Sequence, residues 1–379
     1  MHKRCGGCQL QGYGYAEQLE YKQRQVNRLL SGYCRVNRII GMDNPLHYRN
    51  KVQAAFYYDK KRQRCASGVF QSNSGKIVPV DSCMIEDVIS DKIIITIRRL
   101  CDSFKIKPYD PLRNNGFIRH TLVRRGFNSG EIMVVIVSAT PVFPSRNNFV
   151  KALLKEHPEI TTIVHNVNPY EKNLLLGERS NILYGKGYIE DTLCGCTFRI
   201  SPASFYQINP VQCEKLYSKA IEFAGLSGKE SVFDSYCGTG TIGIIASAKA
   251  KSVIGAEVNR DAVRDAIFNA KRNNIKSICF ECADAGEYLS EAARNKAHFD
   301  TVIMDPPRAG SSKKFLNSVI KINPQRIVYI SCNPVTLARD LEIITARNYK
   351  VKEIQPYDMF PYTKHIETLV KIERVKNEK

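Results

Sequence analysis

Residues 231–243 read S-V-F-D-S-Y-C-G-T-G-T-I-G, an apolar run that passes through a glycine-rich turn into a second apolar run. The pattern predicts a short strand, a tight turn and a helix, because glycine lets the backbone turn sharply and approach a ligand. The next predicted strand ends at Glu257, where a carboxylate can accept hydrogen bonds from ribose hydroxyls. The run lacks the full G-x-G-x-x-G pattern, so it favours an adenosyl ligand without a pyrophosphate; a purely structural turn is the alternative.

Downstream of about residue 196, strand-like and helical segments alternate, which is typical of a parallel sheet with crossover helices. The third predicted strand ends at Asp284, near the position of the adenine, and the fourth ends at Asp305 before two prolines. The fifth predicted strand, residues 327–330, is followed directly by Ser331 and Cys332. Open α/β sheets bind ligands at the carboxyl ends of their strands, so these side chains are expected at one edge.

The preceding part of the chain has a different pattern. Residues 15–30 predict an amphipathic helix, and residues 48–188 contain short, β-branched, alternating segments typical of an α+β domain with an antiparallel sheet. The predicted strands there are 52–58, 68–70, 131–137 and 161–168. The predicted division is a cysteine-pair segment with the helix (1–40), an α+β RNA-binding or central domain (41–195), and a Rossmann-like domain (196–379).

Charge and composition indicate the kind of partner. The chain of 379 residues has a net charge of +19, with globular proportions of apolar (43%) and charged (25%) residues. Such a basic chain favours a polyanion, most often nucleic acid, with an anionic membrane surface as the alternative. Cations interleaved with aromatic residues in the central domain favour phosphate contact with base stacking, and a solvated basic face is the other interpretation. The clustered cations are Arg49, Lys51, Lys60, Lys61, Arg62, Arg64, Arg98, Arg99, Arg119, Arg124 and Arg125. No apolar run approaches the roughly 20 residues of a membrane span. We therefore expect a cytoplasmic protein, with no membrane association and no obligate protein partner evident.

Thirteen cysteines in such a protein are expected to be reduced. The run Cys5-Gly6-Gly7-Cys8 has a spacing that suits an iron–sulfur cluster or zinc, with Cys83 as a further candidate ligand. Two unliganded thiols are the alternative.

Seven runs together resemble the RNA uracil-5-methyltransferase family, whose members make 5-methyluridine in ribosomal or transfer RNA with S-adenosylmethionine. The runs are C-G-G-C-Q-L-Q (5–11), Y-R-N-K (48–51), S-F-Y-Q-I-N-P (204–210), D-S-Y-C-G-T-G (234–240), D-P-P-R-A-G (305–310), S-C-N-P-V-T-L-A-R-D (331–340) and D-M-F-P-Y-T-K-H-I-E (358–367). They occur in the family's order along nearly the whole chain. Retention of C-G-G-C favours 23S rRNA as the substrate, with the T-loop of tRNA as the alternative.

The resemblance implies a role for each matching residue. Cys332 is the expected nucleophile and Glu367 the expected general base. The expected cofactor-binding residues, with Asp284 added from its place at a strand end, are Gln207, Tyr236, Thr241, Glu257, Asp284 and Asp305. Cys5, Cys8 and Cys83 match three of the four ligands of a [4Fe-4S] cluster. The fourth lies six residues before Cys5 in the family, a position that precedes Met1, so the fourth ligand is not identified.

These residue types suit the chemistry. A thiolate that adds to carbon 6 of uracil makes carbon 5 nucleophilic, and a base must then remove the proton from carbon 5. Cysteine is suitable because its thiolate is accessible near neutral pH. The target uridine must leave the base stack, and Arg308 and Arg339 are candidates for holding the displaced phosphates.

Three other activities are weighed. An RNA cytosine-5-methyltransferase would carry a second cysteine within residues 305–308, where there is none. An amino-group methyltransferase would have an aromatic residue in place of Arg308. A non-catalytic RNA-binding iron–sulfur protein would form no covalent adduct with RNA.

Overall fold

The computed structural model describes residues 5–72, 74–169 and 175–375. They fall into two units. The first comprises Met1–Gln9, Pro45–Thr192 and Arg199–Ala203, and the second comprises Leu10–Asn44, Leu193–Phe198 and Ser204–Lys379. The three-part division predicted from the sequence stays a prediction.

In chain order, the helices and strands of the described residues are α1 (Tyr15–Leu30), β1 (Lys51–Asp59), β2 (Arg64–Phe70), β3 (Ile77–Pro79), α2 (Val88–Ser103), β4 (Ile118–Arg125), β5 (Ile132–Ser138), α3 (Arg146–Glu156), β6 (Ile160–Val167), β7 (Arg179–Tyr184), β8 (Ile189–Leu193), β9 (Cys196–Ile200), α4 (Pro210–Ala224), β10 (Ser231–Ser235), α5 (Thr241–Ser247), β11 (Ser252–Glu257), α6 (Arg260–Arg272), β12 (Ile278–Cys282), α7 (Ala285–Arg294), β13 (Thr301–Met304), α8 (Lys313–Ile322), β14 (Arg326–Ser331), α9 (Pro334–Thr345), β15 (Tyr349–Tyr357) and β16 (Glu367–Arg374).

The first unit contains a seven-stranded sheet in the order β3-β2-β1-β4-β5-β6-β7. Its described pairings are antiparallel, as the sequence predicts, except for the parallel pair β5–β6, which α3 connects. β5 is buried along its whole length, which explains its continuous run of β-branched residues. α2 starts at Asp87, whose side chain accepts a hydrogen bond from the Ser90 amide, as an N-cap should.

The second unit is built on a sheet in the order β12-β11-β10-β13-β14-β16-β15. Strands β10 to β14 pair in parallel, which confirms the predicted Rossmann-like fold. The sequence analysis missed the last two strands: β16 runs antiparallel to β14, and β15 runs antiparallel to β16. Apolar strand residues such as Phe233, Val302 and Ile327 are fully buried and form the core.

Helix α1 belongs to this second unit, and its bounds agree with the predicted helix 15–30. Val26 and Leu30 on its apolar side are fully buried in the core of that unit. Two polar residues of the same helix, Gln18 and Lys22, are also fully buried, which hydrophobic periodicity does not predict. Among the described helices, none is both long and apolar enough to cross a membrane.

Leu30→Ala should destabilise the second unit by about 2–5 kcal/mol, because it leaves a cavity where a fully buried side chain packs. The measurement is urea unfolding of the full chain. The matched control is Leu112→Ala, since Leu112 is 96% exposed and its truncation should change stability by less than about 0.5 kcal/mol. Equal effects of the two changes would contradict the packing of α1.

Candidate active site

The thiol of Cys332 and the carboxyl group of Glu367 are brought together by strand register. In the antiparallel pair β14–β16, Ser331 lies opposite Thr368. Cys332 is the next residue after β14, and Glu367 is the residue before Thr368 on a strand that runs the other way. The two residues therefore face each other at one end of the sheet. Cys332 is half-buried and Glu367 is buried.

A second carboxyl group joins this end of the sheet. Met304, the last residue of β13, lies opposite Tyr329 of β14, so Asp305 emerges at the edge where Cys332 follows β14. Pro306 and Pro307 cannot continue the ladder, which ends the strand there. The structure thus gathers three of the residues that the sequence analysis selects: Cys332, Asp305 and Glu367.

Burial and mutual repulsion perturb all three groups. Burial raises the pKa of Asp305 to about 7, and burial together with the charge of Asp305 raises the pKa of Glu367 well above its usual value. Two carboxyl groups in such a position hold a proton more tightly than isolated ones. The pKa of Cys332 is raised to about 11 by burial and by the charges of Glu367 and Asp305, and the Arg308 charge opposes this increase.

These surroundings differ from the sequence-based expectation of a thiolate that is accessible near neutral pH. The neighbouring carboxylates favour the protonated thiol. A thiolate becomes favourable only as the negative charge around it falls, for example when Glu367 holds a proton. Nucleophile and base are therefore electrostatically linked, since the charge on one disfavours the charge on the other.

The turn after Asp305 is fixed by a buried carboxylate that the sequence analysis did not select. Asp340 accepts hydrogen bonds from the Tyr329 hydroxyl (2.6 Å) and from the Ser311 amide (2.8 Å). Arg339, a candidate for holding phosphates, donates to the carbonyls of Ala309 (3.1 Å) and Ser311 (3.2 Å). It also pairs with Asp340. Arg339 therefore braces the turn.

The glycine-rich turn after β10 has the predicted shape. Tyr236, Gly238 and Gly240 all have positive φ angles (61°, 54° and 78°). A Cβ on Gly240 would lie 2.7 Å from the Phe280 ring, so the position requires glycine. The buried Asp234 accepts a hydrogen bond from the Gly243 amide (2.8 Å), which ties the start of α5 to β10. A turn of this kind leaves the backbone close to whatever ligand it binds.

The predicted cofactor residues lie around this turn and at neighbouring strand ends. Glu257 accepts hydrogen bonds from the amides of Gly238 (3.1 Å) and Asn259 (2.9 Å), and Asp284 caps α7 through the Glu287 amide (2.9 Å). These contacts within the chain are visible, whereas cofactor contacts stay a prediction.

The other three predicted cofactor residues have diverse surroundings. Tyr236 packs on Phe315, with 5.2 Å between ring centroids. Thr241 is the first residue of α5, and the Gln207 amide nitrogen lies 3.5 Å from the buried Tyr217 hydroxyl. The sequence patterns do not select Tyr217 as a site residue, because helical periodicity explains its burial as core packing.

The predicted cluster ligands lie in the first unit, and they do not form a metal site. Within residues 5–72, 74–169 and 175–375, no group of three His, Cys, Asp or Glu side chains could hold a metal ion. Cys8 lies close enough to Cys5 and Cys83 for their charges to interact. The side chains of the described residues nevertheless do not support a [4Fe-4S] cluster, and no step involves one.

Comparison with known proteins shows the family. A family model described as tRNA (Uracil-5-)-methyltransferase matches residues 14–375. The chain belongs to this family. Two relatives, both named as uncharacterized RNA methyltransferases, support this assignment to the family. The relative from Clostridium acetobutylicum is 40% identical, and the alignment covers 99% of this chain and 83% of the relative. The relative from Enterococcus faecalis is 41% identical, and the alignment covers 95% of this chain and 79% of the relative.

A solved structure agrees with the family assignment and the predicted fold class. The tRNA (uracil-54, C5)-methyltransferase of Pyrococcus abyssi, solved with S-adenosyl-L-homocysteine, aligns with a TM-score of 0.81 and 30% identity. It covers 97% of this family member and 85% of the archaeal chain. The protein is thus an RNA methyltransferase.

Alkylation of Cys332 by iodoacetamide should become about tenfold faster per pH unit between about pH 7 and 9, because the thiolate reacts and its pKa lies near 11. Glu367→Gln removes a neighbouring charge, so it should lower that pKa and speed alkylation at pH 8. Peptide mass spectrometry measures the rate. The exposed Cys279 in the same samples is the control, and its rate at pH 8 should be the same in the unaltered protein and in Glu367→Gln. An unchanged Cys332 rate would contradict the electrostatic link.

Proposed function

We propose that the protein methylates carbon 5 of a uridine in RNA by covalent catalysis, with Cys332 as nucleophile and Glu367 as general base. The observation that carries this proposal is the register of β14 and β16, which sets a thiol opposite a buried carboxyl group. A structural cysteine would not need such a partner. The reaction needs a nucleophile for carbon 6 and a base for the carbon 5 proton, and this pair suits both roles.

The reaction balances as follows. The Cys332 thiolate forms a bond to carbon 6, and the electron pair of the C5=C6 bond shifts to make carbon 5 nucleophilic. Carbon 5 gains a methyl group. Glu367 then accepts the carbon 5 proton, the C5=C6 bond reforms, and the Cys332 sulfur leaves carbon 6 as a thiolate. The raised pKa of Glu367 makes its carboxylate, once ionised, a stronger proton acceptor than an ordinary glutamate.

S-Adenosylmethionine, when bound, supplies an electrophilic methyl group. The residues proposed to hold it are Gln207, Tyr236, Thr241, Glu257, Asp284 and Asp305. The positive φ angles of the 236–240 turn and the room that Gly240 leaves beside Phe280 fit an adenosyl ligand at this sheet edge. The complex of the archaeal relative with S-adenosyl-L-homocysteine supports the same cofactor.

We infer that the first unit contributes a phosphate contact at Lys51, beside the buried Arg124. These two cations lie directly opposite each other on β1 and β4, where like charges repel. Burial and the charges of Arg124 and Arg49 lower the pKa of Lys51 to about 8, and Arg124 is buried. A phosphate placed there would relieve the repulsion and restore full protonation of Lys51.

Two RNA substrates are considered. The C-G-G-C run favours 23S rRNA, and the archaeal relative named for uridine 54 of tRNA makes tRNA the second candidate. A cytosine substrate is less suited, because residues 305–308 contain no second cysteine.

Cys332→Ala should abolish covalent trapping by RNA that contains 5-fluorouridine, since the fluorine on carbon 5 cannot leave as a proton does and the adduct persists. The assay incubates 23S rRNA and tRNA transcripts separately with the protein and S-adenosylmethionine, then resolves adducts by denaturing electrophoresis. Cys282→Ala, at an exposed cysteine, is the control and should trap normally. Trapping of only one transcript would identify the substrate class, and normal trapping by Cys332→Ala would refute the nucleophile.

Lys51→Gln should weaken RNA binding at about 0.1 M salt and reduce the slope of log K against log salt by about 1, because one phosphate contact is lost. Fluorescence anisotropy with the substrate transcript measures both. Lys155→Gln is the control, since it removes an exposed charge from the same unit at the last turn of α3. An unchanged slope in Lys51→Gln would contradict the phosphate contact.

A further inference from the structure

The segment 358–366 connects β15 to β16 and sets the position of Glu367, the proposed general base. Glu367 is the first residue of β16 and lies opposite Tyr357, the last residue of β15. The Glu367 carboxyl group therefore depends on the path of this nine-residue connection, whereas Cys332 follows a different strand, β14. Any contact that fixes the connection acts on the base and leaves the nucleophile's own support intact.

A fully buried ion pair holds the start of the segment. Lys22 of α1 and Asp358 are both inaccessible to solvent, and 2.5 Å separates the Lys22 ammonium nitrogen from the Asp358 carboxylate. The same ammonium donates a hydrogen bond to the Phe360 carbonyl (3.1 Å). Burial lowers the pKa of Lys22, and the charge of Asp358 opposes that shift. A buried ion pair is weak evidence of stabilisation, so its geometric effect is the more informative property.

Buried amide side chains hold the rest of the segment. Asn209 donates to the Met359 carbonyl (2.9 Å), and Gln212 donates to the Asp358 carbonyl (3.1 Å). The Tyr362 amide donates to the Gln18 side chain (2.8 Å). Asn209, Gln212 and Gln18 are all fully buried. Side chains from α1 and α4 thus bind backbone groups that strand pairing does not reach.

The backbone of the segment also takes an unfavourable shape. Tyr362 has a φ of 66°, a conformation that side chains other than glycine, asparagine and aspartate rarely adopt. Such a conformation persists where surrounding contacts over-determine it. Lys22 donates a hydrogen bond to the Phe360 carbonyl, and Gln18 accepts one from the Tyr362 amide, so both contacts constrain the backbone that leads into this residue.

We propose that Lys22 and Asp358 are positioning residues for Glu367, which they fix for removal of the carbon 5 proton. This proposal rests on the proposed function, since it assigns Glu367 the role of base. Loosening the segment impairs the step after methylation and leaves addition of Cys332 to carbon 6 largely unaffected. A defect confined to proton removal traps the methylated RNA on Cys332.

The test compares Lys22→Met with Glu367→Gln on unmodified substrate RNA in the presence of S-adenosylmethionine. Both variants should accumulate a covalent protein–RNA adduct, and Lys22→Met should release product at least tenfold more slowly than the unaltered protein. Trapping by 5-fluorouridine RNA, which needs only the steps before proton removal, should stay within about twofold in Lys22→Met. A merely misfolded variant would lose both signals.

Lys314→Met is the matched control, because Lys314 makes an exposed ion pair with Glu287 (3.3 Å). It should release product normally and accumulate no adduct. If Lys22→Met does not fold, Asp358→Asn, which removes the negative charge that holds the Lys22 ammonium, takes its place, and the same adduct should accumulate.

Two outcomes separate the proposals. Normal release and no adduct in Lys22→Met or its replacement, alongside accumulation in Glu367→Gln, overturns the positioning role alone. No accumulation in Glu367→Gln itself refutes the general base, and the proposed function with it.

Discussion

Antiparallel pairing between β14 and β16 sets the distance between thiol and carboxyl group, and the chemistry at this sheet edge depends on it. A shift of one residue in this register would turn alternate side chains to the opposite face and separate the pair. The parallel strands β10 and β13 supply the glycine-rich turn and Asp305 at the same edge. The site therefore combines the carboxyl ends of parallel strands with the start of one antiparallel strand.

Desolvation makes the ionised groups of this site more reactive and at the same time makes their ionised forms less populated. Burial raises the pKa of Asp305, Glu367 and Cys332 together, so each group is less charged than it would be in water. A carboxyl group of raised pKa is a stronger base once ionised, and a thiolate of raised pKa is a stronger nucleophile once formed. The price is a small thiolate population, which a nearby positive charge such as that of Arg308 partly offsets.

Sequence reasoning works here where a residue's neighbours are close in the chain. The periodicity of residues 15–30 predicts α1, and the glycine pattern predicts the turn at 236–240. It fails for Lys22, because the partner Asp358 is 336 positions away and no local pattern distinguishes a buried lysine from an exposed one. The contacts of Arg339 were likewise not predicted, because its acceptors lie in the turn around residue 310. The strands β15 and β16 are missed because neither alternates strictly: β15 contains Pro356, and the first four residues of β16 are all buried.

Membership of α1 in the second unit has a consequence for folding during synthesis. The helix is translated before most of the first unit, whereas its partners in α9 and the 358–366 connection are translated near the end of the chain. Until those residues emerge, Lys22 has no buried counter-charge and the edge of β14 has no partner strand. The buried contacts of this amphipathic helix therefore form only once nearly the whole chain has been translated.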